Sequence, residues 1–414
     1  MRYATAVPNT HQHVSFFIML MAVAMSAFMH PTGNPAVADG VTWSSLKWSS
    51  LAPLPEETGV AGAFAGVSGR DPESAVLIVA GGANFPGQPP WAGGTKAWHA
   101  TAYVLPKPDA AWITATPLAR PLGYGVTASY GGRGWCVGGG DATEHVRSTV
   151  ALEWDADTQK LLVEPDALPP LLESMAFGSG VLVGSRLFIA GGQATPTATE
   201  GLGTFWSIDL AAPVADRRWQ EHPSWPGPKR ILPVLGTSEG KVLLVSGAEI
   251  VPERDAAAGT GSSGKPDQKP VVTRRFLTDA YEFDIMKNSW RAIAPCPTPL
   301  IAAPSPAIPL DASRLMFLPG DDGALFLKQK ELAGNHPGFP RQMYVYDTRA
   351  DAWQAAGTVP DGVRPAVTTP TVAWRGGWIV PSGEVQPGLR SPQIARLVPE
   401  MTGNAPPFAE PKPQ

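Results

Sequence analysis

Short apolar runs that end in small residues recur along the chain, and each predicts a strand that stops where the backbone turns tightly. The runs are 77–82 (LIVAGG), 135–140 (WCVGGG), 187–192 (LFIAGG), 242–247 (VLLVSG), 315–320 (LMFLPG) and 378–383 (WIVPSG). Their closing glycines follow one another at intervals of 52 to 73 residues. This near-constant spacing predicts a repeat architecture rather than an assembly of unrelated strands.

A second pattern follows several of these runs: an aromatic-rich strand with an acidic end, and then a tryptophan. The copies are 281–284 (YEFD) with Trp290, 344–347 (YVYD) with Trp353 and, more loosely, 205–209 (FWSID) with Trp219. We read each copy as a strand, a polar hairpin and an outer strand whose Trp packs back on its sheet. Six such units in phase predict an all-β fold, a six-bladed kelch-type β-propeller.

The ends of the chain predict how the ring closes. Segment 393–398 is strand-like but no outer strand with a Trp follows it, whereas 46–51 (LKWSSL) supplies one. We therefore expect the N-terminal strand to complete the C-terminal blade, so that residues 39–414 form one domain. Two insertions lengthen the repeat: 252–275 is expected to be a solvated low-complexity loop, and 323–340 a short helix that stops at Gly334 and forms a partial lid.

Composition and charge narrow the class of function. Gly and Pro number 44 and 45 among 414 residues, which suits short strands and many turns. The net charge of -4 does not favour a nucleic-acid partner. The apolar run 14–29, with Ala36 and Ala38 behind it, predicts a signal peptide over residues 1–38 and a periplasmic or secreted protein without membrane contact after cleavage. A retained N-terminal anchor is the alternative.

Cysteines and histidines do not point to redox or metal chemistry. Cys136 and Cys296 are expected to be buried free thiols, since no CxxC motif is present. The mature chain has four histidines at scattered positions, His99, His145, His222 and His336. Their spacing predicts no metal site, and without a nucleophile, Walker or dinucleotide motif we expect no cofactor.

One segment carries a specific resemblance. Residues 383–390 (GEVQPGLR) resemble the GE-x-x-PGLR signature of the N-acetylneuraminate epimerases, or sialic acid mutarotases, a kelch family of periplasmic and secreted proteins. Segments 46–68, 81–87 (GGANFPG) and 120–129 are also similar, so the likeness spans all six blades. The signature lies in the last repeat here but in the middle of the chain in the enzyme type. This chain therefore resembles a cyclically permuted branch of the family. A closed ring tolerates such a rotation.

The resemblance implies cofactor-free interconversion of the anomers of sialic acid, a small acidic sugar, with Glu384 and Arg390 as catalytic residues. A carboxylate such as Glu384 can shuttle the proton of the anomeric hydroxyl. A guanidinium such as Arg390 can hold the sugar carboxylate bidentately. Arg230 matches a family arginine and is a candidate for substrate binding. Read without the motif, Glu384 and Arg390 would be a solvated surface pair.

Further candidates lie on loops of the same type. Asn84, Tyr124 and Asp321 are predicted to contact substrate, although Asn and Asp after glycine also serve turn geometry and Tyr124 could pack in its blade. Weaker candidates of the same kind are Lys96, His99, Asp141, Glu144, His145, Gln193, Glu249, Asp322 and His336. The alternative function is a non-catalytic kelch propeller that binds a glycan or a protein, since fold alone does not separate the two. The sequence makes no prediction of oligomeric state.

Overall fold

The computed structural model describes residues 43–252 and 272–401. These residues form short strands joined by turns, with one short helix, α1 (Gln329–Leu332). The strands of the first half are β1 (Trp43–Leu51), β2 (Phe64–Ser68), β3 (Val76–Ala80), β4 (Ala83–Asn84), β5 (Ala97–Trp98), β6 (Ala102–Leu105), β7 (Ile113–Ala115), β8 (Val126–Tyr130), β9 (Arg133–Val137), β10 (Thr149–Asp155), β11 (Lys160–Pro165), β12 (Ser179–Val183), β13 (Arg186–Ala190), β14 (Phe205–Asp209) and β15 (Gln220–Glu221).

The second half of the chain continues the same pattern of short strands. They are β16 (Val234–Ser238), β17 (Lys241–Val245), β18 (Ala248–Pro252), β19 (Val272–Phe276), β20 (Ala280–Asp284), β21 (Ser289–Ile293), β22 (Ile308–Pro309), β23 (Arg314–Phe317), β24 (Gln342–Asp347), β25 (Ala352–Thr358), β26 (Val372–Trp374), β27 (Gly377–Pro381), β28 (Glu384–Gln386), β29 (Leu389–Arg390) and β30 (Ile394–Met401).

Six four-stranded antiparallel sheets make the blades of a β-propeller in the part of the chain that the structure describes. Their orders are β2-β3-β6-β7, β8-β9-β10-β11, β12-β13-β14-β15, β16-β17-β20-β21, β22-β23-β24-β25 and β26-β27-β30-β1. We number these sheets as blades one to six. Three two-stranded hairpins, β4-β5, β18-β19 and β28-β29, extend from the connections between the second and third strands of blades one, four and six.

Each predicted apolar run is the second strand of a blade, and its composition follows from burial on both faces. In β3, Leu77 and Val79 pack into the core shared with blade six, while Ile78 and Ala80 pack into the core shared with blade two. Successive side chains of a strand point to opposite faces. A strand that lies between two cores is therefore apolar at every position, and the described residues form six such inter-blade cores.

The N-terminal strand closes the ring, as the sequence predicts. Strand β1 pairs antiparallel with β30, from Leu51 opposite Ile394 to Trp43 opposite Met401. The first described strand is thus the outer strand of the last blade. This pairing covers the edge that β30 would otherwise expose and joins the two ends of the ring.

A ring of six backbone hydrogen bonds surrounds the propeller axis. One residue of each blade donates its N–H to the carbonyl oxygen of its counterpart in the neighbouring blade, at 2.6–3.1 Å. These residues are Gly62, Tyr124, Phe177, Leu232, Ala302 and Thr368, and all six have a φ between 55° and 67°. Five of them carry a side chain in this left-handed conformation, which costs about 1 kcal/mol each. The closed ring of bonds offsets that cost and holds all six entering loops at the axis.

Outer-strand tryptophans join neighbouring blades. The indole of Trp353 packs on Phe317 and Tyr346 of its own blade, as the sequence predicts. Its Nε1 also donates a hydrogen bond of 2.8 Å to the carbonyl oxygen of Ala294, just past the outer strand of the preceding blade. The same bond recurs in three other blades, from Trp112 to Ala52, Trp219 to Pro169 and Trp290 to Pro223.

The two insertions contain more regular structure than loops alone, and both cysteines are buried. The expected helix within 323–340 is present as α1, flanked by 3₁₀ turns over Phe326–Lys328 and Ala333–Asn335. The expected loop 252–275 is only partly a loop, because its second arm, Val272–Phe276, pairs with Ala248–Pro252. Both cysteines are free and buried, as predicted, Cys136 in the core between blades one and two and Cys296 in that between blades four and five.

Several predictions concern residues outside the described ranges. The predicted signal peptide 1–38 and the centre of the predicted loop, 253–271, lie there. Among the described residues, no helix has the length and hydropathy needed to cross a membrane.

Candidate functional site

The candidate site lies where the second strand of each blade meets the loop that enters the blade. In all six blades, the residue three or four positions after this strand forms an antiparallel bridge with the residue just before the axial ring. The six equivalent positions are Ala83, Gly140, Gln193, Ala248, Asp321 and Glu384. Two of them are carboxylates, Asp321 and Glu384, on the adjacent blades five and six. The fold thus brings both predicted acidic residues to one face, next to the axis.

The β28-β29 hairpin holds the predicted catalytic pair in register. Glu384 and Arg390 lie directly opposite each other across the hairpin, and Glu384 Oε1 is 3.2 Å from Arg390 Nη1. The same Oε1 accepts a hydrogen bond of 2.8 Å from the backbone N–H of Gly388, which fixes the carboxylate. Gly388 has a φ of 82°, and a Cβ there would lie 2.5 Å from Pro90. The glycine of the motif is therefore required by both its conformation and its close packing.

Arg390 is buried without a full set of partners. Its side chain is 5% exposed, and its guanidinium carbon lies 4.8 Å from the centre of the Phe85 ring. Nε and Nη1 are inaccessible to solvent and have no hydrogen-bond partner, since the contact with Glu384 is an ion pair without hydrogen-bond geometry. Buried polar groups are normally satisfied, and an unpaired charged donor is especially costly. The arrangement therefore favours an anionic ligand beside Arg390.

Two aromatic residues flank a lysine in the same cluster. Lys96 Nζ lies 4.2 Å from the centre of the Tyr124 ring and 4.7 Å from that of Trp98. Tyr124 belongs to the axial ring, packs on Phe177 at 4.7 Å, and has a buried hydroxyl without a hydrogen-bond partner. Trp98 Nε1 is buried and unpartnered too. Burial raises the pKa of Tyr124 to about 12, so this hydroxyl stays protonated.

Charges from four blades act on one another here. Burial is the main cause that lowers the pKa of Lys96 to about 8; Arg390 and Arg274 lower it as well, while Glu384 opposes them. Burial also raises the pKa of Asp321, and Glu384 acts in the same direction, against the hydrogen bond from the Gly323 N–H and the charge of Arg274. Arg274, on β19, is a residue that sequence reasoning missed because it lies in the insertion expected to be a solvated loop.

Arg230 does not belong to this cluster, contrary to the expectation from the resemblance. Its side chain is fully buried, and its two Nη atoms pair with the two carboxylate oxygens of Asp279 at 2.8 and 2.7 Å. It also donates to the carbonyl oxygens of Ser246 and Pro228. A guanidinium occupied in this way stabilises the junction of blades three and four and has no accessible donor for a substrate.

Asn84 also has a structural position rather than a ligand-facing one. Its side chain is fully buried, and Nδ2 lies within hydrogen-bond distance of oxygens of Glu56, Thr58 and Gly59. Its Oδ1 is 2.8 Å from His99 Nε2. Asn84 therefore fixes the loop after β1 to the hairpin β4-β5.

Most of the weaker candidates are engaged within the protein. Asp141 and Glu144 pair with Arg120. His145 Nδ1 is 2.8 Å from the carbonyl oxygen of Gln193. The remaining engaged side chains are His336, with the Gly338 N–H, Asp322, with the Ala324 N–H, and Glu249, with Arg275. In the described part of the chain, no group of three His, Cys, Asp or Glu side chains could hold a metal ion.

Segment 323–340 packs against the site. Gln386 Nε2 donates to the carbonyl oxygen of Ala333 at 3.1 Å, just after α1. Phe326 packs edge-on against Phe276 of β19 at 5.2 Å. The segment therefore contacts two of the hairpins that carry charged residues of the cluster, β18-β19 and β28-β29. Its role as a lid stays a prediction.

Comparison with known proteins identifies relatives of one name. No family model matches the chain. It is 25% identical over 251 residues to the N-acetylneuraminate epimerase of Pasteurella multocida, which covers 55% of this chain and 57% of that protein. It is 36% identical over 138 residues to that of Salmonella arizonae, covering 30% of this chain and 33% of the relative. It is 38% identical over 116 residues to that of Salmonella enteritidis, covering 25% of this chain and 28% of the relative.

These matches confirm the resemblance that residues 383–390 indicate. The aligned part of the chain spans little more than half the length of the Pasteurella relative and about a third of the Salmonella ones. The chain is thus similar to N-acetylneuraminate epimerases over part of its length, on a six-bladed propeller.

Proposed function

We propose that this protein is a cofactor-free mutarotase that interconverts the anomers of N-acetylneuraminate or a related acidic sugar. The observation that carries the proposal is the buried guanidinium of Arg390, with Nε and Nη1 unpartnered, beside the carboxylate of Glu384. The relatives named N-acetylneuraminate epimerase support the same chemistry.

Arg390 is the carboxylate anchor in this proposal. A sialic acid carries its carboxylate on the anomeric carbon, so an arginine that holds this group also places the reacting bond. A guanidinium matches the two oxygens of a carboxylate in a planar, bidentate arrangement. Binding would place an anion beside a buried positive charge whose Nε and Nη1 have no hydrogen-bond partner. The face of Phe85 restricts the plane of the guanidinium.

Glu384 is the proton-transfer residue. Its carboxylate accepts the proton of the anomeric hydroxyl and passes it to the ring oxygen as the bond between the anomeric carbon and the ring oxygen breaks. The product is an open-chain keto acid. Rotation about the bond next to the carbonyl and attack by the same hydroxyl on the other face then give the second anomer, as Glu384 carries the proton of the attacking hydroxyl to the new anomeric oxygen. A positioned carboxylate contributes about 10²- to 10⁴-fold to such steps.

The test starts from the crystalline β anomer of N-acetylneuraminate, dissolved with the protein and followed by proton NMR. We expect equilibration faster than the spontaneous rate, and the acceleration should fall about 10²-fold or more in Glu384→Gln. The glutamine keeps an oxygen that can accept the hydrogen bond from the Gly388 N–H, so the hairpin is retained. Glu164→Gln is the matched control, because this carboxylate is exposed on the outer strand β11, where it pairs with Arg133.

Absence of any acceleration by the wild-type protein would refute N-acetylneuraminate as the substrate. In that case, a rise in melting temperature on adding the sugar would support the alternative of a non-catalytic propeller that binds an acidic glycan, since a ligand that binds only the native state stabilises it.

We also infer export from the cytoplasm, on the basis of the apolar run 14–29 and the small residues before Asp39. Mass spectrometry of the protein purified from its native host should find Asp39 as the first residue. A chain that retains residues 1–38 would contradict cleavage after Ala38.

A further inference from the structure

Lys96 is a cation of the site with which no described carboxylate pairs, whereas Arg390 pairs with Glu384. In the described ranges, no Asp or Glu oxygen lies within ion-pair distance of its Nζ, and no hydrogen bond to Nζ is present. Its neighbours are the faces of two aromatic rings, Tyr124 at 4.2 Å and Trp98 at 4.7 Å. The exposed Lys107, by contrast, pairs with Asp109 at the surface.

The position of Lys96 follows from the packing of two hairpins. Lys96 lies just before β5, and the loop between β4 and β5 packs on the hairpin that carries the catalytic pair. A Cβ on Gly388 would lie 2.5 Å from Pro90, and Phe85 stacks against Arg390. Tyr124 lies near both, because its ring contacts Lys96 and the charge of Arg390 lowers the pKa of its hydroxyl against the effect of burial.

We propose that Lys96 is a second catalytic residue, which delivers a proton to the ring oxygen of the sugar while Glu384 takes the proton of the anomeric hydroxyl. This inference rests on the proposed function. It replaces a single shuttling carboxylate by an acid and a base that act together, and thereby assigns a role to an ammonium group that the resemblance leaves without one.

The step balances with two residues. In ring opening, the Lys96 ammonium gives one proton to the ring oxygen as its bond to the anomeric carbon breaks. Glu384 accepts the proton of the anomeric hydroxyl, whose oxygen becomes the carbonyl oxygen. Lys96 is then a neutral amine and Glu384 a carboxylic acid. In ring closure on the opposite face, Lys96 recovers the proton of the attacking hydroxyl and Glu384 protonates the new anomeric oxygen, so both residues return to their starting state.

The electrostatic surroundings suit this role. Burial, Arg390 and Arg274 lower the pKa of Lys96 to about 8, and Glu384 limits the fall. Tyr124, which faces Nζ, stays neutral because burial raises its pKa to about 12. Lys96 is therefore protonated at pH 7 but is a stronger acid than an ordinary lysine. General acids act best when their pKa lies near the working pH.

The experiment compares kcat and KM for the β anomer of N-acetylneuraminate between pH 6.5 and 9.5, after subtraction of the spontaneous rate. For the wild type, we expect activity to fall as the pH rises through about 8, because Lys96 loses its proton there. In Lys96→Gln, we expect kcat to fall by about 10²-fold and this alkaline limb to disappear. Lys107→Gln is the matched surface control and should behave like the wild type.

Lys96→Arg separates proton transfer from charge. An arginine keeps the positive charge but does not release its proton in this pH range, so we expect its kcat to fall as far as in Lys96→Gln. The methyl glycoside of N-acetylneuraminate cannot open its ring, and its affinity should change little in either variant, which also shows that both are folded.

The outcomes separate this inference from the function on which it rests. Full activity in Lys96→Arg, with a raised KM and unchanged kcat in Lys96→Gln, would overturn proton transfer by Lys96 and leave the mutarotase in place. No acceleration by the wild-type protein would overturn both.

Discussion

Removing the partner of a fully buried arginine provides a sharp test of the structure. Arg230 has no exposed surface, and its charge is balanced by Asp279, whose side chain is 29% exposed. Asp279→Ala leaves the guanidinium buried with only the carbonyl oxygens of Ser246 and Pro228 as acceptors. Breaking a buried ion pair in this way costs about 3–5 kcal/mol, because the remaining charge is not compensated.

The reverse substitution should cost less. In Arg230→Met, the remaining carboxylate of Asp279 can reach water and keeps its hydrogen bond of 2.7 Å from the Tyr281 hydroxyl. The loss is then chiefly that of the hydrogen bonds to two buried carbonyl groups, about 1–3 kcal/mol. The order of the two variants, with Asp279→Ala the less stable, follows from the unequal burial of the two partners.

Urea unfolding followed by tryptophan fluorescence measures the free energy of unfolding of both variants. The mutarotase assay on the same samples measures KM, which we expect to stay within about twofold of the wild-type value. A tenfold rise of KM in Arg230→Met with undiminished stability would refute the structural assignment and restore Arg230 as a substrate-binding residue, as the resemblance implies.

Three further predictions follow from buried groups and from ring closure. Burial by itself raises the pKa of Glu282, but hydrogen bonds from Arg291 and Lys241 outweigh it and hold the pKa below its ordinary 4.5. The ionised Glu282 therefore stabilises the fold above this pH, and that stabilisation is lost as the pH falls. Between pH 6 and 3, the melting temperature of Glu282→Gln should fall by less than that of the wild type; an equal fall would contradict this. Burial raises the pKa of Cys296 to about 12 and also raises that of Cys136, so Ellman's reagent should label neither thiol before urea unfolds the chain; rapid labelling of the native protein would refute this burial. A chain that starts after β1 exposes the edge of β30 and should aggregate on refolding, as light scattering would show, whereas a soluble, folded product would show that β1 is dispensable.

The fold was largely predictable because its signals are local. Burial of a strand on both faces requires an unbroken apolar run, and all six runs became second strands of blades. Closure by residues 46–51 could be predicted because the last unit lacked an outer strand. The additional role of the tryptophans was not predictable. The bond from Trp353 to Ala294 depends on how one blade meets the next, and no pattern within a single repeat shows that.

The site was predictable only in part. Glu384 and Arg390 lie six residues apart in one hairpin, so a short motif carries both. Lys96 and Arg274 come from blades one and four, and no local motif marks either of them. The sequence therefore places Lys96 only among the weaker candidates and does not indicate Arg274. Arg274 was missed for a further reason, since its segment pairs as β19 rather than forming only a solvated loop.

By itself, the sequence determined the all-β class, the six repeats, the closing strand and the segment that carries the proposed catalytic pair. It did so because hydrophobic periodicity and turn residues act over a few positions of the chain. Only the tertiary structure decided which polar loop residues face the axis. Arg230 is fully buried against Asp279, and Asn84 is enclosed by its neighbours, whereas Lys96 remains unpaired between two aromatic rings. Burial and charge pairing depend on residues that are distant along the chain, so no local pattern distinguishes a structural arginine from a ligand-binding one.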